Sequence, residues 1–328
     1  VQEPGESKST FLIVAAVVAI LLIMAAVVYV LLMDTKEDPA AEATFKALNT
    51  RQDLDLPMPD DISADFRLDN QGNWVANGPV TDKELKKLLG KQPVIQSLHI
   101  VGGEISPEGL ELLKDRGVKG LRFEYMELTP AHADAISTLP DLEFLNLRDK
   151  SINDEFIDHL KCNPLKLQSL HLFMAKITNR SIETIVTRFP NLTDFGNARN
   201  PNFDDAGLAL LKGLKKLDTL EVNSTSVDKE SVLAFVKSNP KIKHLYIADL
   251  QIDDAYVAKL PKTLVELDLS HNPITDGSID SIVQMSKLRT FRLSGKTMVT
   301  VEGLGRLKKR LPLCFVLANK DNLNPLGD

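Results

Sequence analysis

LVELDLSHNPITDGSIDSI (Leu264–Ile282) carries two different periodicities within one short stretch. Leu264, Leu267 and Leu269 occupy its first, fourth and sixth positions. The last two alternate with Glu266 and Asp268, so one face of a strand is apolar and the other charged. Beyond Asn272 and Pro273 the spacing changes. Ile279 and Ile282 lie one helical turn apart, and Thr275 or Asp276 ahead of them can cap the free N–H groups of a helix start. The stretch therefore reads as strand, tight turn and short helix.

The same pattern recurs outward in both directions. The helical phrase appears as VTDKELKKL (Val80–Leu88), ISPEGLELL (Ile105–Leu113), LTPAHADAI (Leu128–Ile136), INDEFIDHL (Ile152–Leu160) and ITNRSIETI (Ile177–Ile185). It continues as FDDAGLALL (Phe203–Leu211), VDKESVLAF (Val227–Phe235), IDDAYVAKL (Ile252–Leu260), ITDGSIDSI (Ile274–Ile282) and VTVEGLGRL (Val299–Leu307). These starts are 22 to 26 residues apart. A strand phrase precedes the later copies, as in Ile95-Leu98-Ile100, Leu142-Leu145-Leu147 and Leu167-Leu170-Leu172. Gly117, Pro140, Pro164, Pro190, Pro240, Pro261 and Pro312 fall where the helices must stop.

One unit cannot stand alone. It buries about five large apolar side chains, at about 2 kcal/mol each. Ordering its backbone costs about 1–2 kcal/mol for each of about 24 residues. Stacking closes the gap, because neighbours cover each other's edges and their strands join one parallel sheet. Helices are wider than strands, so the expected stack curves, with the sheet on the concave side and helices on the convex side.

This pattern resembles the leucine-rich-repeat family, in its helix-bearing class with units in the mid-twenties. LVELDLSHN (Leu264–Asn272) follows the LxxLxLxxN pattern throughout. LTDFGNARN (Leu192–Asn200) keeps the final Asn but places Asn197 at an inward strand position. The resemblance covers about Trp74 to Leu317 and implies an α/β solenoid that works by binding. Gly196, Asn197 and Pro201 make the fifth unit irregular, through either a kink or a local change of register. No F-box-like segment accompanies the repeats.

Phe11 to Met33 is a run of 23 residues without charge, proline or glycine. A helix of that length reaches about 35 Å, enough to cross a bilayer core. Charged residues from Asp34 onward follow it, without an adjacent small-residue cleavage site. We therefore expect a tail at residues 1–10, an uncleaved transmembrane helix at 11–33 and an acidic, Pro-containing linker at 34–65. The repeat domain with its terminal caps then spans 66–318, and a tail occupies 319–328. Lys8 alone precedes the span, whereas Lys36, Lys46 and Arg51 follow it, which favours a cytoplasmic C-terminal side. A short tail before a first apolar span favours export instead, and we expect the repeats to be extracytoplasmic.

Net charge is −6, without a basic run pointing to nucleic acid. Cys162 and Cys314 are too few for a disulfide framework or zinc site and should lie far apart in the stack. No phosphate loop, HExxH or GxSxG motif occurs. His99, His171 and His244 belong on the concave sheet face. His99 and His171 are separated by about 14 Å of strand spacing, too far to share a metal. We expect no catalytic residue, metal or cofactor.

Strand positions three, five and seven face outward, which maps a binding surface. The third and fourth units present Phe144, Asn146, Arg148, His171 and Phe173. The seventh and eighth present His244, Tyr246, Glu266 and Asp268, with Arg292 beside them. Exposed aromatics next to arginine are common interface anchors. The expected function is a membrane-anchored binding or scaffold protein that recognises a protein or peptide partner. One alternative is a structural subunit of a membrane protein assembly. Another is the C-terminal recognition part of an enzyme whose catalytic domain lies before Val1.

Overall fold

The computed structural model of the chain describes residues 66–69, 72–295 and 297–318. The expected membrane helix at 11–33, the linker at 34–65 and the tail at 319–328 lie outside the described residues. Among the described residues, no helix is long and apolar enough to cross a membrane.

Twelve strands form one sheet in strict chain order. They are β1 (Arg67–Leu68), β2 (Trp74–Thr81), β3 (Ser97–Glu104), β4 (Gly120–Glu124), β5 (Phe144–Arg148) and β6 (Ser169–Phe173). Then come β7 (Asp194–Gly196), β8 (Thr219–Glu221), β9 (His244–Tyr246), β10 (Glu266–Asp268), β11 (Thr290–Leu293) and β12 (Phe315–Ala318). Only β1 and β2 pair antiparallel; every later neighbour is parallel. Parallel neighbours need a crossover, and a helix supplies each one from β2 to β12. In order these are α1 (Asp82–Lys91), α2 (Pro107–Glu111), α3 (Pro130–Ser137), α4 (Asp154–His159) and α5 (Asn179–Arg188). They continue as α6 (Asp205–Leu210), α7 (Lys229–Ser238), α8 (Asp254–Lys259), α9 (Ile279–Ile282) and α10 (Val301–Arg310). This is the solenoid of stacked strand–helix units that the periodicity implies.

The core is the continuous ladder set by positions four and six. Leu145, Leu147, Leu170, Leu172, Leu220, Val222, Leu245, Ile247, Leu267 and Leu269 are all buried. Helix residues such as Ile157, Ile182 and Ile282 close the core from behind. Cys162 and Cys314 are separate buried thiols, and burial pushes Cys162 up to about 12.

After each strand the chain must turn sharply toward its helix. Position eight does this in a left-handed conformation at Tyr125, Met174, Arg199, Ser224, Asp249 and His271. None of these is β-branched, as the sterics of that region demand. The turn keeps the ladder going past the strand. Met174 N–H donates to Ala198 O at 3.0 Å, and Arg199 N–H to Asn223 O at 2.8 Å. The fifth unit keeps register, with Asp194 beside both Ser169 and Thr219. Its irregularity is therefore not a slip of register. Asn197 is fully buried, and its Oδ1 accepts from Asn200 Nδ2 at 3.2 Å.

The carboxylates at the helix starts do more than cap. Asp82 accepts from the N–H and hydroxyl of Ser106, the cap of the next helix, at 2.9 and 2.6 Å. Asp154 holds Thr178 in the same way at 2.8 and 2.7 Å, and Asp276 holds Thr300 at the same distances. Thus the first helical residue of one unit ties down the cap of the next. Glycine accompanies this contact: a Cβ on Gly303 would lie 2.2 Å from Asp276 Oδ1. The helical phrase is therefore an inter-unit device as well as a helix start.

Candidate functional site

All ten residues mapped to the binding surface project from the sheet face opposite the core. Phe144, Asn146 and Arg148 stand on β5, and His171 and Phe173 on β6. His244 and Tyr246 are on β9, Glu266 and Asp268 on β10, and Arg292 on β11. They form two groups instead of one continuous patch, because β7 and β8 separate β6 from β9. That gap is about 14 Å by strand spacing.

In the first group, Arg148 is sandwiched between two rings. Its guanidinium carbon lies 4.7 Å from the Tyr125 centroid and 4.5 Å from that of Phe173. Such cation–π contacts orient the guanidinium plane as well as stabilising it. Its Nη1 donates to Glu124 Oε2 at 3.2 Å, while its Nε is buried without a partner. Glu124 also receives Arg122 Nη2 at 2.7 Å and lies 3.0 Å from His99 Nε2. Burial opposes ionisation of Glu124, but His99, Arg122 and Arg148 outweigh it and hold the carboxyl at about 2.

His171 bridges two carboxylates. Its Nε2 lies 2.8 Å from Asp194 Oδ1 and its Nδ1 lies 3.0 Å from Glu221 Oε2. Burial works against a charged ring, but both hydrogen bonds and both negative charges outweigh it, raising His171 to about 9. The ring reaches Glu221, two strands away, by lying across Gly196. A Cβ there would fall 2.4 Å from Nδ1. The missing side chain in the fifth unit makes room for His171. His171 is consequently a strut within the surface, only 19% exposed, more than a free contact.

These residues border a concavity of about 160 Å³ lined by Arg122, Asn146, Arg148, His171, Phe173 and Glu221, among others. Arg199, exposed on its left-handed turn, places its guanidinium 5.6 Å from the Phe173 centroid. Phe144 is 50% exposed and stands beside Ser169 on the neighbouring strand.

The second group is more closed. Tyr246 Oη donates to Glu266 Oε2 at 2.7 Å, and Arg292 Nη1 lies 3.5 Å from the same oxygen. Arg292 also sits 5.1 Å from the Tyr246 ring centroid, and His244 Nδ1 is 3.7 Å from Glu266 Oε1. Burial, then the bond to Glu266, pushes the Tyr246 hydroxyl up to about 12. Asp268 Oδ1 accepts from Ser270 N–H at 2.8 Å. This network satisfies its own polar groups and has less left to offer a ligand.

Arg122, Glu124, Asp194 and Glu221 stand on the same face, at the alternating positions that mapped the other residues. Extending that alternation to the second, fifth and sixth units would have found them. Tyr125 and Arg199 lie one residue past each strand, where alternation no longer applies. Among the described residues, no cluster of three or more His, Cys, Asp or Glu side chains is arranged to hold a metal.

A family model described as a leucine rich repeat matches residues 261–283. No curated protein matches the chain. Among solved structures, an internalin from Listeria monocytogenes str. 4b F2365 is similar at 15% identity and a TM-score of 0.40. That alignment covers 75% of this chain and 86% of the internalin. The matched family segment holds β10 and α9, one unit of the stack.

Proposed function

We propose that this chain is a binding protein that recognises a protein or peptide through the open sheet face around β4–β8, and not a catalyst. The observation that carries this reading is Arg148, fixed between Tyr125 and Phe173 at the edge of a concavity, with the exposed Arg199 beside Phe173. Arginine and aromatic side chains are enriched in interface hot spots. The second group, centred on Glu266, would serve as a subsidiary contact.

Membrane attachment through residues 11–33, with the repeats extracytoplasmic, belongs to the same proposal and rests on the uncharged run in the sequence. Protease digestion of intact, right-side-out vesicles tests the sidedness. Cleavage within 66–318 supports it, and complete protection rejects it.

The binding reading is tested by quantitative copurification from the native membrane with the intact chain, against the Phe144→Ala/Phe173→Ala double variant. Losses of about 1–2 kcal/mol per anchor should reduce recovery of a specific partner about tenfold or more. Unchanged recovery by a folded double variant would remove this face from consideration.

A further inference from the structure

The hydrogen-bonding inventory around Phe173 is one-sided. Every carboxylate there is already engaged. Glu124 is shared by His99, Arg122 and Arg148. Asp194 takes His171 and the Ser169 hydroxyl, and Glu221 takes His171 and the Asn223 amide. The donors are not exhausted. Arg148 Nε has no partner but is closed off from solvent, so the open donor is Arg199, which is exposed and makes no ion pair with any described residue. Arg122, Arg148, Arg199 and the protonated His171 set four cations against the three carboxylates Glu124, Asp194 and Glu221.

The space matches that chemistry. A concavity of about 160 Å³ has the volume of about five waters at about 30 Å³ each. A carboxylate on one or two methylenes fits within it. Phe173 offers an apolar wall for the methylenes, and a planar guanidinium presents paired donors that match the two oxygens of a carboxylate. A neutral side chain would leave the surplus charge unanswered.

We propose that this concavity receives one acidic side chain, Asp or Glu, of the bound peptide, its carboxylate held by Arg148 with Arg199 alongside and its methylenes against Phe173. This rests on the peptide-binding reading above and adds the chemistry of the anchoring residue. Arg148 works here as a selectivity determinant, held ready by Tyr125, Phe173 and Glu124.

The test needs no knowledge of the partner. The chain in detergent micelles, labelled at arginine side chains, is titrated with N-acetylglutamate, N-acetylglutamine and inorganic phosphate. The readout is the guanidinium NMR signals of Arg148 and Arg199. N-acetylglutamate should shift both signals saturably in the millimolar range, at least tenfold more tightly than N-acetylglutamine. Arg148→Gln should weaken the effect at Arg199 at least tenfold. Equal shifts from the amide and the acid, or no saturable shift, would overturn the proposal. Tighter binding of phosphate than of N-acetylglutamate would overturn the carboxylate assignment in favour of a phosphorylated ligand. The wild-type titrations stand even if Arg148→Gln fails to fold. Because no partner is present, a negative titration leaves the copurification result untouched, so the two readings fail separately.

Discussion

His171 and Glu124 are partly or fully removed from water, and each owes its charge to neighbours on other strands, so their ionisation is tied to folding. His171 is raised above its ordinary value of 6.5 to about 9. Its contribution is therefore complete below pH 6.5 and is lost as pH rises through about 9. Its size is at most about 3 kcal/mol. Glu124 is lowered from 4.5 to about 2, so its contribution is complete above pH 4.5 and is lost as pH falls towards 2. Urea unfolding of the wild type should accordingly show a stability plateau between about pH 4.5 and 6.5 with a decline on each side. His171→Gln should flatten the alkaline decline and leave the acidic one. An unchanged alkaline slope in that variant would show that the ring is not held by Asp194 and Glu221. The same strut is sensitive to one methyl group. Gly196→Ala places a Cβ against the His171 ring, and displacing it should cost about 1–3 kcal/mol, read as a lower urea midpoint at pH 6.

The elements themselves were largely legible. Alternation marked the strands through residues such as Leu145 and Leu147, and all ten helices fall where the helical phrase recurs. What alternation could not show is how one unit grips the next, because that information lies in pairs of residues about 24 apart. Asp276 and Gly303 are such a pair. Asp276 looks like an ordinary helix-start carboxylate, and Gly303 like a poor helix former; together they make room for a contact with Thr300. The outward residues were legible too, but Tyr125 and Arg199 were not, because they sit on left-handed turns beyond the strand period. The pair makes a double-mutant prediction. Asp276→Ala should cost about 1–2 kcal/mol by losing its hydrogen bonds to Thr300. Gly303→Ala should destabilise the wild type through the clash. In the Asp276→Ala background it should be neutral or stabilising, since Ala is favoured over Gly in helices by about 1 kcal/mol. Additive effects in urea unfolding would show that the glycine does not serve the aspartate.

At the largest scale, charge on the helices of the described residues is segregated. The helices stack side by side, acidic in the first turn (Asp82, Asp154, Asp254, Glu302) and basic in the last (Lys237, Lys259, Lys308, Arg310). This order complements the aligned helix dipoles. Apart from His171, which reaches past β7 to Glu221, the stacking contacts described above run between neighbouring units, so damage to one unit should stay local. Asn272 gives the sharpest case. It is fully buried; its Nδ2 donates to Ile247 O at 2.9 Å, and its Oδ1 accepts from Leu250 and Ile252 N–H at 3.0 Å each. Most other units place a different residue at this position, so the polar bridge is concentrated here and at Asn200, which donates to Ile177 O. Asn272→Ala leaves two buried N–H groups and a carbonyl unsatisfied, at about 1–3 kcal/mol for each group and less than additive in sum. Hydrogen exchange should then quicken in β9, β10 and β11, while amides of β3 to β5, at least four strands away, keep their protection. Equal loss of protection throughout the sheet would mean that the units unfold together, and that neighbour-to-neighbour stacking does not describe how this solenoid holds its binding face in place.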